Sequence, residues 1–222
     1  MNDTELLNKL YYVDHNYDSI QNLYLKSKKI NPKIKKEFVK DWLSKQQTSQ
    51  MTDVPVIKNE YLPIYSETPY SFQIDLTFFP RYKKENKGNY VLFTAININS
   101  RFAYAYYSDN KNMNTIINFI KNIENKTIIN TITSDKGTEF NNSEFKKFCS
   151  DNDIILYLVK DESHKKLSII NRFHRTLKDK LVKYFIGNNT LDWINVIDKI
   201  ILNYNDTINR GIGYAPNQVK CL

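Results

Sequence analysis

The chain has 222 residues, 41% of them hydrophobic and 14% aromatic, which suits a packed core and excludes a disordered chain. No apolar run approaches the roughly 18 residues of a membrane span, and the opening MNDTELLNKL lacks the basic start and apolar stretch of a signal peptide, so an intracellular protein is expected. A net charge of +8 favours an anionic partner, nucleic acid first, although a Lys-rich genome would produce the same balance.

Residues 1–46 read as a separate helical unit. A first helix is expected over Asp3–Tyr12 and a second over Tyr17–Lys28. A third opens with Asn31 as N-cap and Pro32 at its first position. Ile34, Phe38 and Trp42 fall at i, i+4 and i+8, flanked by Val39 and Leu43, while Lys33, Lys36 and Lys40 take the other side. Lys26–Lys45 holds eight lysines against Glu37 and Asp41. Short helices with a basic third one suggest a helix-turn-helix-like DNA-binding unit; a solvated Lys-rich face is the plainer explanation. Residues 47–70, with three prolines and no sustained period, read as a linker.

From residue 71 the pattern changes to strands. FQIDLTFF (72–79) alternates, with Phe72, Ile74, Leu76 and Phe78 on one face and Gln73, Asp75 and Thr77 on the other. Strands follow at 89–99 and 102–107, a helix at 112–123, a strand at 127–133, a helix at 142–152 and a strand at 154–159. A basic helix lies within 162–181 and a last one over Leu191–Asn205. An antiparallel start followed by βα units predicts a mixed α/β sheet flanked by helices. Cys149 and Cys221 sit far apart and outside any Cys-x-x-Cys, which gives no disulfide scaffold; with three histidines they offer no zinc site. Cys149 reads as a helix core residue.

Two acids stand out. Asp75 interrupts an apolar strand, where an ionised carboxylate is costly unless it is paired or binds metal. Asp135, in TITSDKGTEF, ends a strand where the chain turns, the usual place for ligands in α/β sheets. Taken singly, an exposed sheet face and an ordinary Asp-x-Gly turn explain them. Together, two acids on one sheet can share Mg²⁺ with phosphate oxygens, and two-metal phosphodiester chemistry wants a third acid on a neighbouring helix.

The segments FQIDLTFF, SDKGTEF, IINRFHRTLKDKL and NYNDTINRGIGYAPNQV together resemble the retroviral-type integrase catalytic core of the DDE transposase group. Sixty positions separate Asp75 from Asp135, and 36 more lead to Asn171, the family's usual interval. GYAP resembles the family's closing Thr-Pro motif, and residues 23–48 resemble integrases of Maverick/Polinton elements and their viral relatives. The resemblance implies an RNase H-like domain over 71–222, Mg²⁺ or Mn²⁺, DNA ends as substrate, strand transfer as reaction, a homo-oligomer, and a site of action in a nucleus, viral factory or virion. It implies Asp75 and Asp135 as metal ligands. Arg172, Arg175 and Lys178 would meet DNA, as would Lys33, Lys36 and Lys40 of the N-terminal unit. His174 replaces a family Asn and reads as a surface residue.

The family's third acid, a Glu, is absent, and Asn171 stands in its place. A neutral amide is a poor substitute for a carboxylate on a hard cation, so impaired catalysis is expected. Three readings stay open. The chain is an inactive integrase-like protein that still binds DNA; or Glu162, or Asp161 beside it, substitutes; or Asn171 is an introduced change. A DNA-binding or assembly module is the alternative of a different class. The family's N-terminal zinc arrangement is also missing, with His15 alone, and after YAPNQVKCL no further C-terminal module is expected.

Overall fold

The computed structural model describes residues 1–52, 65–159 and 166–219. Five strands form one sheet in the order β3-β2-β1-β4-β5: β1 Ser71–Phe78, β2 Val91–Asn97, β3 Ala103–Ser108, β4 Thr131–Ser134 and β5 Ile155–Leu158. The first three pair as an antiparallel meander. β4 and β5 then add parallel to β1, each reached through a helix. The expected mixed sheet is what forms. Every residue of β2 is buried, as both faces of the sheet carry helices.

Alternation along the strands divides the core in two. On one face Phe72, Ile74, Phe93 and Ala95 pack under α5 (Met113–Glu124) and α6 (Ser143–Asp151), with Cys149 buried among them. On the other, Leu92 and Ile96 pack under α7 (Ser168–Asn188) and α8 (Ile197–Asn205). α7 presents Ile169, Ile170, Phe173, Leu177 and Leu181 to the sheet, the i, i+4, i+8 stripe that its sequence carries. Asn142 caps α6 by accepting from Phe145 N at 2.8 Å.

The N-terminal unit comprises α1 (Asp3–Asn8, continued by a π-helical turn over Lys9–Val13), α2 (Ile20–Ile30), α3 (Lys36–Ser44) and α4 (Gln47–Gln50). Its own core joins Leu7, Tyr11, Leu23, Val39, Trp42 and Leu43. Asn31 and Pro32 do not start α3. Asn31 follows α2, where its side chain accepts from Lys33 N at 3.1 Å and donates to Asp3 at 2.7 Å. That local turn delays the helix to Lys36. Phe38 stays 38% exposed, so the stripe runs through Val39, Trp42 and Leu43.

Residues 47–50, assigned to a linker from their sequence, form α4 against α7. Gly187 permits the approach: a Cβ there would lie 3.3 Å from Tyr12 and 3.4 Å from Thr48. Residues 53–64 of that segment lie outside the described residues. β4 begins at Thr131 and α8 at Ile197, both later than their sequences suggest. Before α8, Trp193 is buried, and its backbone N–H donates to Asn86 at 2.7 Å.

Lys180 does not belong to the exposed basic face of α7. It is buried, 2.9 Å from Asp18, and also donates to the Asn16 carbonyl. Lys26 reaches the other Asp18 oxygen at 2.7 Å, a charge contact without hydrogen-bond alignment. Burial pushes the Asp18 carboxyl up, but the two lysines outweigh it and hold it below its ordinary value. The cluster fixes the N-terminal helices to α7. His15 lies in the same seam, stacked on Tyr17 and edge-on to Tyr184.

Candidate active site beside strand β1

Gln73, Asp75 and Thr77 share the face of β1 that α7 covers. Gln73 anchors the helix. Its Oε1 accepts from Ile170 N at 2.9 Å, satisfying one of the orphan donors in the first turn, and its Nε2 donates to Lys166 O at 2.7 Å. A helix held there by its third residue carries Asn171 to the neighbourhood of Asp75. The two line one pocket with Thr77, His174, Arg175 and Lys178.

Three groups surround Asp75 and two of them bond it. Leu76 N donates to its Oδ1 at 2.7 Å. Thr94, directly opposite on β2, donates its hydroxyl to the Asp75 carbonyl at 3.0 Å. His174 bridges the two: Nε2 lies 2.6 Å from Thr94 Oγ1, and Nδ1 lies 3.4 Å from Asp75 Oδ2. With the Thr94 hydrogen committed to a carbonyl, Nε2 is assigned as the protonated nitrogen and Nδ1 as the bare one. His174 is therefore buried, not a surface residue; i+3 from Asn171 turns it under the helix rather than outward. Burial, then Lys178, lowers its pKa to about 4, so the imidazole is neutral at neutral pH and the contact is no ion pair. The Asp75 carboxyl rises to about 6, mainly through burial, then through the negative charges of Asp135 and Glu139; Leu76 N and Lys178 oppose the rise.

Asp135 reaches the same place through strand register. β1 and β4 pair Ser71 with Thr131 and Gln73 with Thr133, an offset of 60. Asp75 and Asp135 carry the same offset, so Asp135, one residue past β4, falls where the register leads. Asp135 Oδ1 accepts from Gly137 N at 3.0 Å. Gly137 leaves room for two carboxylates: a Cβ there would come within 2.9 Å of Glu139 Oε2 and 3.0 Å of Asp135 Oδ1. Glu139 is held by Lys111 at 2.5 Å, and that hydrogen bond is the main cause of its lowered pKa.

The expected basic residues separate into two sets. Arg175 and Lys178 line the Asp75 pocket. Arg172 and Arg175 also line a groove of about 560 Å³ between α7, the N-terminal unit and residues 207–211, together with Lys183 and Arg210. Lys33, Lys36 and Lys40 are exposed and line neither. Glu162 and Asp161 lie outside the described residues. Gln73, Thr94 and Glu139 were not singled out from the sequence as site residues; only their strand register and turn bring them here.

Among the described residues no three His, Cys, Asp or Glu side chains are arranged to hold a metal ion. The donor set does fit a hard divalent cation as a pair. Asp75 and Asp135 offer anionic oxygens, and their mutual repulsion is one cause of the raised Asp75 pKa, which such a cation would relieve. Asn171 adds a neutral amide oxygen and no charge.

A mixed sheet of this order, with an acid on its first strand, an acid past its fourth and a helix docked against the first, is the RNase H-like fold shared with integrase cores. Residues 66–162 of the chain match the family described as Integrase core domain. It is 32% identical over 142 residues to an uncharacterized transposon-derived protein of Caenorhabditis elegans, covering 63% of this chain and 49% of that one; the chain thus spans about half the length of this relative. Its fold resembles the simian T-cell lymphotropic virus intasome solved with PP2A regulatory subunit B56 gamma. There the TM-score is 0.62 at 16% identity over 97% of this chain and 74% of that one. The catalytic core of BIV integrase gives a TM-score of 0.55 at 17% identity, over 68% of this chain and 93% of that one. No helix among the described residues is long and apolar enough to cross a membrane.

Proposed function

We propose that this chain is an integrase-like DNA-binding protein of the strand-transfer type, mediating or derived from DNA integration, with phosphodiester chemistry impaired at Asn171. The observation that carries this reading is one pocket in which Asp75 and Asn171 face Arg175 and Lys178. Acid and base together suit a phosphodiester, because cations hold its oxygens while carboxylates serve the reacting side. Asp75 and Asp135 would hold Mg²⁺ or Mn²⁺, which supplies Lewis-acid activation of the phosphate and its attacking oxygen.

The remaining steps belong to the chain itself. Arg175 and Lys178 bind the phosphate and fix its register. Leu76 N aims the Asp75 carboxylate, and Thr94 fixes the backbone that carries it. The Asn171 amide contributes an oxygen but leaves one positive charge uncompensated, which predicts a loss of orders of magnitude in rate. A solved relative is an intasome, so action as a homo-oligomer on DNA ends is part of the proposal.

A second reading is a DNA-binding or assembly module without catalysis. The basic groove beside α7 favours it, since that groove needs no carboxylate to hold phosphates. A strand-transfer assay with Mn²⁺ on blunt DNA ends separates the two. The expected result is silence in the native chain and product with Asn171→Glu, abolished again by Asp135→Asn. Activity in the native chain that Asp135→Asn removes would assign the third ligand elsewhere. Silence of both, with DNA bound, supports the module.

A further inference from the structure

β1 ends in a side chain that a packed sheet has little reason to expose. Phe78 is 44% exposed, three residues past Asp75, and Val182 on α7 is exposed to the same degree. Between them lies a second pocket of about 370 Å³, walled by Phe78, Phe79, Tyr82, Leu181, Val182 and Phe185. The walls brace one another: Phe79 stacks on Tyr82 at 6.3 Å, and Tyr82 meets Phe185 edge-on at 5.5 Å. Lys111, itself tied to Glu139, lies 5.5 Å from the centre of the Phe78 ring and holds that ring at the mouth.

This pocket is continuous with the Asp75 pocket. Phe78 and Lys178 line both. Arg81, exposed, adds a second cation to the apolar side. A ligand that satisfies both chambers must give an anion to Lys178 and Arg81 and a flat apolar surface to Phe78 and Val182. A nucleotide does so within one residue, because its phosphate and base are joined through a single sugar. An apolar protein segment leaves the two cations unanswered, and a helical duplex keeps its bases stacked and out of reach.

We propose that this pocket receives one unstacked base of the DNA strand whose phosphate lies against Lys178. The proposal rests on the DNA-strand reading above. Stacking on an aromatic ring tolerates any base, because each has a π-face, so no sequence preference is required. Extrusion costs least at a frayed end, and a strand-transfer substrate is an end.

The test uses the full chain and short duplexes with 5-iodouracil at each terminal position in turn, plus a dye at the far end. Dye anisotropy reports binding; irradiation cross-links the halogenated base to an aromatic ring stacked on it, and peptide mapping identifies the ring. One terminal position is expected to cross-link to Phe78 or Tyr82. Val182→Asp keeps both rings but fills the mouth with charge, and should cut the yield several-fold at saturating protein. Phe78→Ala should abolish the Phe78 adduct, and Phe78→Tyr should restore one at that position. DNA bound at the anisotropy plateau, with adducts only elsewhere or with yield unmoved by Val182→Asp, overturns the proposal. So does a dimer, seen by sedimentation of the protein alone, that Val182→Asp dissolves; the pocket then belongs to a second copy. A flat anisotropy trace at low salt would instead mean that the DNA reading itself has failed, and the base pocket with it.

Discussion

His174 Nδ1 lies 3.4 Å from Asp75 Oδ2, with the imidazole buried between the sheet and α7 and its other nitrogen on Thr94. An acid expected to hold metal thus faces a neutral ring whose bare nitrogen can accept from it only while the carboxyl is protonated. The shifts of the two groups run in opposite directions. Asp75 rises to about 6 and His174 falls to about 4.

Those shifts predict a pH signature in stability. Between about pH 4 and 6 the folded Asp75 holds more proton than the unfolded one, so its contribution falls as pH rises. His174 binds less proton folded than unfolded between about 4 and 6.5, so its contribution rises with pH. In the native chain the two slopes largely cancel. Asp75→Asn removes the first. It should stabilise the protein above pH 6, by roughly 1–3 kcal/mol, and leave a profile that climbs with pH. His174→Asn should tilt the profile the other way. Urea midpoints of the three proteins from pH 4 to 7 decide it, and parallel profiles would refute the coupling.

The legible part of this molecule was what periodicity and spacing encode. Alternation in FQIDLTFF assigned Asp75 and Gln73 to one face, and the α7 stripe set its buried side. The 60-residue offset between the acids is the β1–β4 register itself, so sequence spacing carried three-dimensional information. What stayed hidden depends on contacts between distant segments. Lys180 looks like every other lysine of α7 until Asp18 from another helix meets it. His174 reads as a surface residue because only Thr94, eighty residues earlier, shows which way it turns. Asn31 carries a fair N-cap signature, and a local Asx turn used it instead.

Asn171→Glu should be a trade between stability and metal binding. It sets another carboxylate near one that Asp135 and Glu139 already push up. Without metal the variant should lose about 1 kcal/mol, since Asn171 is exposed and solvent screens the added charge. With Mn²⁺ in excess it should gain more than the native chain does, about 1.4 kcal/mol for each tenfold gain in affinity. Thermal unfolding with and without Mn²⁺ reads both signs. An equal response of the two proteins to Mn²⁺ would mean that position 171 does not face the ion.

Asp18 should be among the costliest single sites in the chain. It is buried with Lys180 and Lys26, and removing its charge strands a buried ammonium. Asp18→Asn should cost roughly 3–5 kcal/mol. Lys26→Ala should cost less, because Lys26 is the more exposed partner. Since the folded Asp18 is held below its ordinary value, its stabilisation is full above about pH 4 and fades as acid titrates the folded group. Chemical denaturation of both variants at pH 7 checks the order; a cheap Asp18→Asn would mean that the seam between the helical unit and α7 is held by its aromatic contacts.

If the chain binds DNA as proposed, the salt dependence of that binding locates the phosphates. Each neutralised phosphate adds about 0.9 to the slope of log affinity against log salt. Arg175 and Lys178 line the carboxylate pocket, so Arg175→Ala and Lys178→Ala should each lower the slope by about 1. Lys33, Lys36 and Lys40 lie on the helical unit outside both pockets, and their joint change to Ala should lower it by up to about 3 if duplex also crosses that unit. Fluorescence anisotropy over a salt series measures all four proteins. Loss confined to the lysine triple would mean that DNA is held away from Asp75 and Asp135, which strand-transfer chemistry does not permit. The chain would then act as the binding module, with its carboxylates idle.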